Sequence, residues 1–314
     1  MRALVTGGAG FIGSHLVDQL VDNGYSVRVY DNLSSGRLDF LEHLGEGIEF
    51  IEGDLLDLKR IKETLQDIDV VFHMAANPDI RLGTEITDTD LEQGTVATYN
   101  VLEAMRVKGV KKIAFASSSV VYGEADQMPT PEDYGPCLPI SLYGASKLGS
   151  EGLITSWVGT FGLQAWIYRF ANIVGSRGTH GVIYDFIHKL MRDPLRLEVL
   201  GDGYQEKSYM EVRDCVRAMI HLFETQSEDV NVHNLGTGDT CSVREIAEEV
   251  VTASGIPDVE VYYTGGERGW AGDVPRAWLA VDKLFATEFT PTMLSHEAIR
   301  HTADVLVRDL GLRE

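Results

Sequence analysis

Short apolar runs, rich in β-branched residues, alternate with longer helical patterns between Ala3 and Tyr168. The apolar runs are Ala3–Val5, Val27–Tyr30, Ile48–Ile51, Val70–Phe72, Ile113–Phe115 and Trp166–Tyr168. The helical patterns are Ser14–Asn23, Leu58–Leu65, Leu91–Lys108 and Tyr143–Phe161. Because two parallel strands need a crossover connection, usually a helix, strand-helix-strand repeats of this kind form parallel βαβ units. The chain is therefore predicted to form a doubly wound parallel α/β sheet.

The alternation loosens beyond Asn172, where clusters of glycine separate short elements. This texture is typical of a smaller, loop-rich α/β lobe that holds a substrate. We expect residues 1–173 to form the sheet domain, with later segments near 210–238 returning to it, and residues 174–314 to form mainly the second lobe. No flexible linker separates them in the sequence, which favours a shared interface that encloses a cleft.

Composition narrows the class of partner. The formal charge is −21 and the isoelectric point is near 4.7, so the surface would repel nucleic acid and anionic membranes. Cys137, Cys215 and Cys241 lack the spacing of a metal site and fit a reducing compartment. The N-terminus has no basic or cleavable leader, and no apolar run is long enough to span a bilayer. We expect a cytoplasmic protein that binds no nucleic acid, membrane or metal.

A glycine-rich turn follows the first strand and opens a helix. Gly7, Gly10 and Gly13 stand where a tight turn, close phosphate approach and helix-strand packing leave no room for a side chain. A pyrophosphate would rest on the helix N-terminus, at Phe11 and Ile12. Alone, the pattern fits an ordinary strand-to-helix turn equally well, but its position favours a dinucleotide site.

Residues at the ends of the next strands support that site. Asp31 ends the second strand about 20 residues after the glycines, where a carboxylate accepts from both ribose hydroxyls and repels a 2′-phosphate. This favours NAD over NADP. Asp54 ends the third strand and could reach the adenine, or it could be an ordinary turn aspartate. Ala75 and Ala76 end the fourth strand, where small side chains allow the cofactor, or simply close packing.

A tyrosine and a lysine carry the chemistry that we predict. Of the 12 tyrosines, only Tyr143 has a lysine four positions later, Lys147, which places both on one helical face. A tyrosine normally titrates near pH ~10, and a nearby cation lowers that pKa so that the phenol can act as a base. Ser118 lies in a serine run after the fifth strand, at the sheet edge where such folds bind ligands. It is a candidate partner for a reacting alcohol or ketone, although serines there also serve turns.

In this order, the motifs resemble the extended short-chain dehydrogenases/reductases, specifically the nucleotide-sugar epimerases and dehydratases, and most closely the UDP-glucose 4-epimerases. The matching segments are Gly7–Gly13, Asp31-Asn32, Gly53-Asp54, Ala75-Ala76, Ser117–Ser119, Val121–Gly123, Tyr143–Lys147, Arg169–Gly175, Gly201–Gly203 and Asn234–Gly238. The resemblance covers nearly the whole chain. It implies a Rossmann-type fold, NAD as cofactor and a nucleotide-diphosphate sugar as substrate, with UDP-glucose and UDP-galactose favoured.

The resemblance also implies roles for individual residues. Tyr143 would be the acid/base, Lys147 would lower its pKa and hold the nicotinamide ribose, and Ser118 would be the hydroxyl partner. NAD would contact Gly7, Gly10, Phe11, Ile12, Gly13, Asp31, Asn32, Asp54, Leu55, Ala75 and Ala76, besides Tyr143 and Lys147. The substrate would contact Ser118, Tyr143, Asn172, Lys207, Tyr209 and Arg268. Lysine at 207 keeps the charge of the family's usual arginine but loses its fork. Arg268 could instead be an ordinary surface arginine.

Two positions depart from the family. An asparagine that usually contacts the cofactor is replaced by Gly94, so one polar contact to NAD would be missing. The acidic pair that related dehydratases carry before Val-Tyr-Gly is replaced by Ser119 and Val120. This favours epimerisation over loss of water. A decarboxylase, an epimerase of a uronic acid or N-acetyl sugar, and a non-catalytic relative that senses NAD remain open alternatives.

The resemblance finally implies a homodimer that pairs through the helices predicted at Leu91–Lys108 and Tyr143–Phe161. Leu102, Met105, Leu153 and Trp157 are candidate apolar contacts, and they could equally fill the core of the domain itself.

Overall fold

The computed structural model describes residues 1–270 and 272–313, which form two compact units. The first unit contains Met1–Val121, Cys137–Arg169 and Val216–His233. The second contains Tyr122–Pro136, Phe170–Cys215 and the chain from Asn234 onward. In this division the segment 216–233, which lies within the range 210–238 expected to return to the sheet domain, belongs to the first unit, and the segment 122–136 belongs to the second.

A seven-stranded sheet with the order β11-β6-β5-β4-β1-β2-β3 confirms the predicted fold. The strands are β1 (Arg2–Thr6), β2 (Ser26–Asp31), β3 (Ile48–Glu52), β4 (Val70–His73), β5 (Lys112–Ser118), β6 (Gln164–Phe170), β7 (Asn172–Val174), β8 (Arg196–Val199), β9 (Glu206–Lys207), β10 (Tyr209–Glu211), β11 (Val230–Leu235), β12 (Cys241–Ser242), β13 (Glu260–Tyr263) and β14 (Arg276–Ala277). Strands β1 to β5 pair in parallel, with Val5 between Val29 and Phe72. These strands read as continuous apolar runs because both faces of a parallel sheet are covered.

Helices connect and flank these strands. They are α1 (Phe11–Asp22), α2 (Leu58–Thr64), α3 (Ala97–Lys108), α4 (Leu142–Phe161), α5 (Val182–Arg192), α6 (Val212–Thr225), α7 (Val243–Ser254), α8 (Asp282–Phe285) and α9 (Ser295–Asp309). The pattern predicted as one helix over Leu91–Lys108 begins instead with a π-helical turn, Leu91–Val96, that leads into α3. None of the helices in the described part of the chain has the length and apolar character that a bilayer crossing requires.

Local signals at its ends define α4, the helix that carries Tyr143. The Ser141 side chain caps its start by accepting a hydrogen bond from the Gly144 N–H at 3.0 Å. Gly162 ends it in the left-handed conformation, with φ of 65°. The apolar core of the first unit packs beneath this helix and includes Leu102 and Met105, both fully buried.

The second unit has its own apolar core, built around Ile187, Leu197, Ile246 and Ile299. Its strands form small sheets rather than one large one: β10 pairs with β7, β13 with β8, and β9 lies between β12 and β14.

Candidate active site

The glycine turn after β1 is packed too tightly for side chains. A Cβ on Gly13 would lie 2.0 Å from the Gly7 carbonyl oxygen, and a Cβ on Gly7, whose φ is +68°, would lie 2.7 Å from the Ala75 backbone. The turn closes with a hydrogen bond from the Gly10 N–H to the Gly7 carbonyl at 3.1 Å. Helix α1 then begins at Phe11 without a side-chain cap. The amides of its first turn can therefore bind an anion such as a phosphate.

Asp31 lies at the end of β2 against this turn. Its carboxylate is 7% exposed and accepts hydrogen bonds from the Ala9 N–H at 3.0 Å and the Leu33 N–H at 2.8 Å. Burial raises the pKa of Asp31, while the two amide bonds oppose that change. Gly36 also packs here, since a Cβ on it would lie 2.8 Å from Asp31 Oδ1. The carboxylate is thus fixed beside the phosphate-binding turn, where a ribose is expected.

Asn32 and Asp54 meet at the neighbouring strand ends. Asn32 Nδ2 donates to Asp54 Oδ2 at 3.0 Å, and the Tyr30 hydroxyl donates to the Asp54 carbonyl at 2.9 Å. Leu55 is buried, and its carbonyl accepts from Asn100 Nδ2 at 2.8 Å. Leu55 therefore packs in the core, so any cofactor contact it makes would come from its backbone.

A buried hydrogen-bond chain crosses from β1 to the helix before α3. Thr6 Oγ1 lies 2.7 Å from His73 Nδ1, His73 Nε2 lies 3.1 Å from Thr98 Oγ1, and Thr98 Oγ1 donates to the Gly94 carbonyl at 2.7 Å. Because the Thr98 proton is given to Gly94, Thr98 must accept from His73 Nε2–H. His73 Nδ1 then accepts the Thr6 proton. Burial and the charge of Lys147 lower the pKa of His73 to about 3, which keeps it neutral.

Tyr143 and Lys147 lie on one face of α4 as predicted. Lys147 Nζ is 5.5 Å from the centre of the Tyr143 ring and donates to the Ala116 carbonyl at 2.7 Å. Burial lowers the pKa of Lys147 to about 8, whereas Asp90 and Glu151 raise it. The pKa of Tyr143 is raised by burial and then by Asp90, so the expected lowering by Lys147 does not occur in this structure.

The two serines at the end of β5 have different partners. Ser117 is buried and its hydroxyl donates to Glu151 Oε1 at 2.5 Å, and Arg169 pairs with both oxygens of Glu151, with a shortest distance of 2.7 Å. Ser118 is partly exposed, and its Oγ accepts from the Val120 N–H at 3.4 Å. The Ser118 hydroxyl can therefore still donate to a ligand. Successive side chains point to opposite faces of a strand, which explains why Ser117 is buried and Ser118 is partly exposed.

In the second unit, the two predicted substrate-binding cations, Lys207 and Arg268, both bond to Asp273, one to its carboxylate and the other to its backbone carbonyl. Lys207 Nζ donates to Asp273 Oδ1 at 2.6 Å. Arg268 donates to the Asp273 carbonyl at 2.7 Å and to Glu124 Oε1 at 2.6 Å. A bound diphosphate would compete with these acidic partners for both cations. Ala271 of the same loop lies outside the described residues.

Asn172 and Tyr209 stand opposite each other where β7 pairs with β10. Asn172 Nδ2 donates to the Ser208 carbonyl at 3.2 Å. Tyr209 is 3% exposed and packs in the core of the second unit, where burial, Cys241 and Asp273 raise its pKa. Core packing encloses the Tyr209 ring in this structure, and its contact with the substrate stays a prediction.

Three acidic residues at these sites escape the sequence reasoning. Glu151 follows Lys147 by four residues, a spacing that could have revealed it. Asp273 follows Arg268 by five residues, and only the arginine was a candidate from the sequence. Asp90 carries no motif, and only the folded structure places it near Tyr143.

The first unit fits a bound dinucleotide. The glycine turn leaves space only for backbone, the start of α1 offers amides, and Asp31 is fixed beside them. Ala75 and Ala76 are partly exposed at the end of β4, next to this turn.

Comparison with known proteins agrees with this geometry. Residues 3–236 match the NAD dependent epimerase/dehydratase family. A UDP-glucose 4-epimerase of Corynebacterium glutamicum is 33% identical over 277 residues, which cover 82% of this chain and 82% of that protein. A UDP-N-acetyl-alpha-D-glucosaminuronate decarboxylase of Bacillus cytotoxicus is 33% identical over 318 residues, 96% of each chain. The crystal structure of a UDP-galactose 4-epimerase is 44% identical, with a TM-score of 0.90 over 99% of this chain and 100% of that one. The chain therefore belongs to the family of NAD-dependent nucleotide-sugar epimerases and dehydratases.

Proposed function

We propose that this protein is a UDP-glucose 4-epimerase, which inverts C4 of UDP-glucose or UDP-galactose through transient oxidation to a 4-keto sugar. The observation that carries the proposal is the pairing on α4 of the partly exposed Tyr143 with the buried Lys147, with the Ser118 hydroxyl at the carboxyl edge of the sheet. The 3₁₀ turn that follows starts with Ser119 and Val120, which lack the acidic groups that an elimination of water requires.

NAD, when bound, supplies the hydride acceptor and donor. Tyr143 takes the proton of the sugar 4-hydroxyl, and Ser118 donates a hydrogen bond to the oxygen as it becomes a ketone. Once the 4-keto sugar has turned over and its other face is presented for reduction, Tyr143 would return the proton to the sugar oxygen. Lys147 contributes a positive charge to the site in both half-reactions.

The second unit would hold the diphosphate while the sugar turns. Lys207 and Arg268 supply two cations, and Asp273 holds both in one place. Anchoring the diphosphate rather than the hexose is what a reaction with a rotating intermediate requires.

A product screen tests the reaction. The purified protein is incubated with UDP-, GDP-, CDP- and dTDP-sugars without added NAD, and the products are identified by NMR. We expect isomerised UDP-hexose without net NADH. Loss of water or carbon dioxide would replace the proposal with a dehydratase or a decarboxylase. A protein that binds NAD and converts no nucleotide sugar would instead be the non-catalytic relative.

Tyr143→Phe tests the assignment of the base. The variant keeps the ring but loses the proton-accepting oxygen, so we expect NAD binding to persist while turnover falls by about 10²-fold or more. Tyr25→Phe is the control, because the Tyr25 hydroxyl bonds Glu224 on the same unit. Near-normal turnover in Tyr143→Phe would refute the assignment.

We also propose a homodimer, formed through an aromatic stripe defined here as Val96, Tyr99, Val107, Trp157 and Phe161. Trp157 stacks edge-on against both Tyr99 and Phe161, and the other four residues are each more than a third exposed. The predicted contacts Leu102 and Met105 are fully buried in the core, which removes them from any interface. Sedimentation velocity at micromolar protein tests the proposal, and a monomer there would contradict it.

A further inference from the structure

Asp90 is a buried carboxylate with one oxygen that lacks a partner. The residue is 1% exposed, and its Oδ1 accepts a hydrogen bond from Asn77 Nδ2 at 3.1 Å. Its Oδ2 is buried and makes no hydrogen bond within residues 1–270 and 272–313. Buried polar atoms are nearly always satisfied, so an ionisable group that breaks this rule beside a reaction centre calls for a functional reason.

The π-helical turn that follows Asp90 packs on the first turn of α4. A Cβ on Gly94 would lie 2.6 Å from Ser146 Oγ. The preceding turn of α4, at Leu142, lies near Gly83. A Cβ on Gly83 would lie 2.7 Å from Asp90 Oδ2 and 3.4 Å from Leu142 Cβ. The two contacts flank the position of Tyr143 on α4. A side chain at Gly83 would therefore meet both Asp90 and the residue that precedes Tyr143 on α4.

Asp90 affects the pKa of both members of the Tyr143–Lys147 pair. It raises the pKa of both Tyr143 and Lys147. Glu151 also raises the pKa of Lys147, but its carboxylate is already paired with Arg169.

The other ionisable neighbours act less directly. His73 is held neutral on β4, and Asp79 on the preceding loop acts on Asp90 itself, whose pKa it raises.

We propose that Asp90 is a positioning residue of the Tyr143–Lys147 pair, whose buried negative charge keeps Lys147 an ammonium ion and retains the proton on Tyr143 until the site is filled. The inference rests on the proposed role of Tyr143 as the base. The bond from Asn77 fixes the carboxylate through one oxygen. The second oxygen makes no hydrogen bond to the described residues, and the positive charge of Lys147 lowers the pKa of the carboxyl group.

Asp90→Asn removes this charge, while the amide oxygen that replaces the carboxylate can still accept from Asn77. The protein is labelled with [¹³Cζ]tyrosine, and the Tyr143 resonance is assigned with Tyr143→Phe. Its pH titration is followed by NMR with and without NAD. We expect the midpoint to fall by about one pH unit in Asp90→Asn, because a like charge near the phenolate has been removed.

Two matched variants separate charge from structure. Glu92→Gln removes an exposed acid two residues along the same turn, and Asn77→Ala removes the hydrogen bond but keeps the Asp90 charge. Both should titrate within about 0.3 pH unit of the wild type. An unchanged Tyr143 midpoint in Asp90→Asn overturns the proposal. That titration needs no turnover, so it decides the role of Asp90 even if the product screen refutes epimerisation.

The unfolding temperature of Asp90→Asn is a second test. A purely structural role for Asp90 predicts a lower unfolding temperature, whereas the proposed role predicts the same or a higher one. Burial raises the pKa of Asp90 in the folded state, so the ionised form costs stability above its unfolded-state pKa. We expect Asp90→Asn to unfold at the same or a higher temperature than the wild type at pH 8, and the acid limb of kcat to move to lower pH. A lower unfolding temperature with an unchanged acid limb would make Asp90 merely structural.

Discussion

The hydrogen-bond chain through His73 shows how strongly one residue can be constrained. Both ring nitrogens are occupied, and the direction of each bond follows from the single proton on Thr98. A protonated imidazole would have two donors and would lose the bond from Thr6. The sequence identifies this histidine only as the end of β4, since the hydroxyls that fix it come from distant segments.

We predict that His73 makes the fold sensitive to mild acid. Its pKa is lowered from an ordinary 6.5 to about 3, so below pH 6.5 the unfolded chain binds a proton that the folded chain does not. Stability is therefore lost as pH falls from 6.5 towards 3. Between pH 7.5 and 5.5, His73→Gln should lose about 1 kcal/mol less free energy of unfolding than the wild type, measured by urea denaturation.

The exposed His43, which pairs with Asp18, supplies the control. His43→Gln removes an exposed imidazole and leaves the hydrogen-bond chain through His73 intact. An equal loss of stability in His73→Gln and the wild type would show that the buried imidazole is not the acid-sensitive group.

At the scale of elements, the sequence predicts strands and helices because apolar residues recur at a different spacing in each. It does not predict the π-helical turn. Leu91–Val96 has the composition of an ordinary helix, and only the structure shows that its Gly94 packs closely on Ser146 of α4. Some strands are longer than the apolar runs that predicted them, because polar residues at their ends also find buried partners. β5 continues to Ser118 because the polar Ser117 finds a buried partner in Glu151.

This packing predicts the result of restoring the family's asparagine. A Cβ at position 94 would lie 2.6 Å from Ser146 Oγ and 3.0 Å from its Cβ. Gly94→Asn should therefore lower the free energy of unfolding by about 1–3 kcal/mol, with partial recovery when combined with Ser146→Ala. Denaturant unfolding measures the change, and calorimetry with NAD checks that the added amide brings no gain in affinity.

Gly152 offers the matched control on α4, because nothing lies within 4 Å of a Cβ placed there. Gly152→Ala should be stabilising by about 0.5–1 kcal/mol, as expected for a helical glycine with free space. A neutral Gly94→Asn would mean that the π-helical turn adjusts without cost.

At the scale of the whole molecule, charge and the aromatic stripe oppose each other. Each chain carries a formal charge of −21, so two copies repel while the stripe favours their contact. Composition alone revealed the charge. Only the structure shows which helical residues are exposed, since the apolar periodicity does not distinguish the buried Leu102 from the exposed Val107.

We therefore predict that added salt strengthens dimerisation. Raising NaCl from 0.05 M to 0.5 M shortens the screening length from about 14 Å to about 4 Å, so the dimer dissociation constant should fall. Sedimentation equilibrium measures it. Val107→Glu, in the stripe, should weaken the dimer at both salt concentrations, whereas Leu195→Glu, exposed on the second unit, should not. Dimers that dissociate as salt rises would indicate an interface held by ion pairs instead.

The strand order has a consequence for how the chain is made. β6 borders β11 in the sheet, yet the chain segment from Ala171 to Asp229 is synthesised between them. During translation, β6 is therefore an edge strand until β11 has been made. Its unpaired backbone groups could hydrogen-bond to another chain. Premature termination within this interval would release a chain whose sheet ends one strand short, at β6.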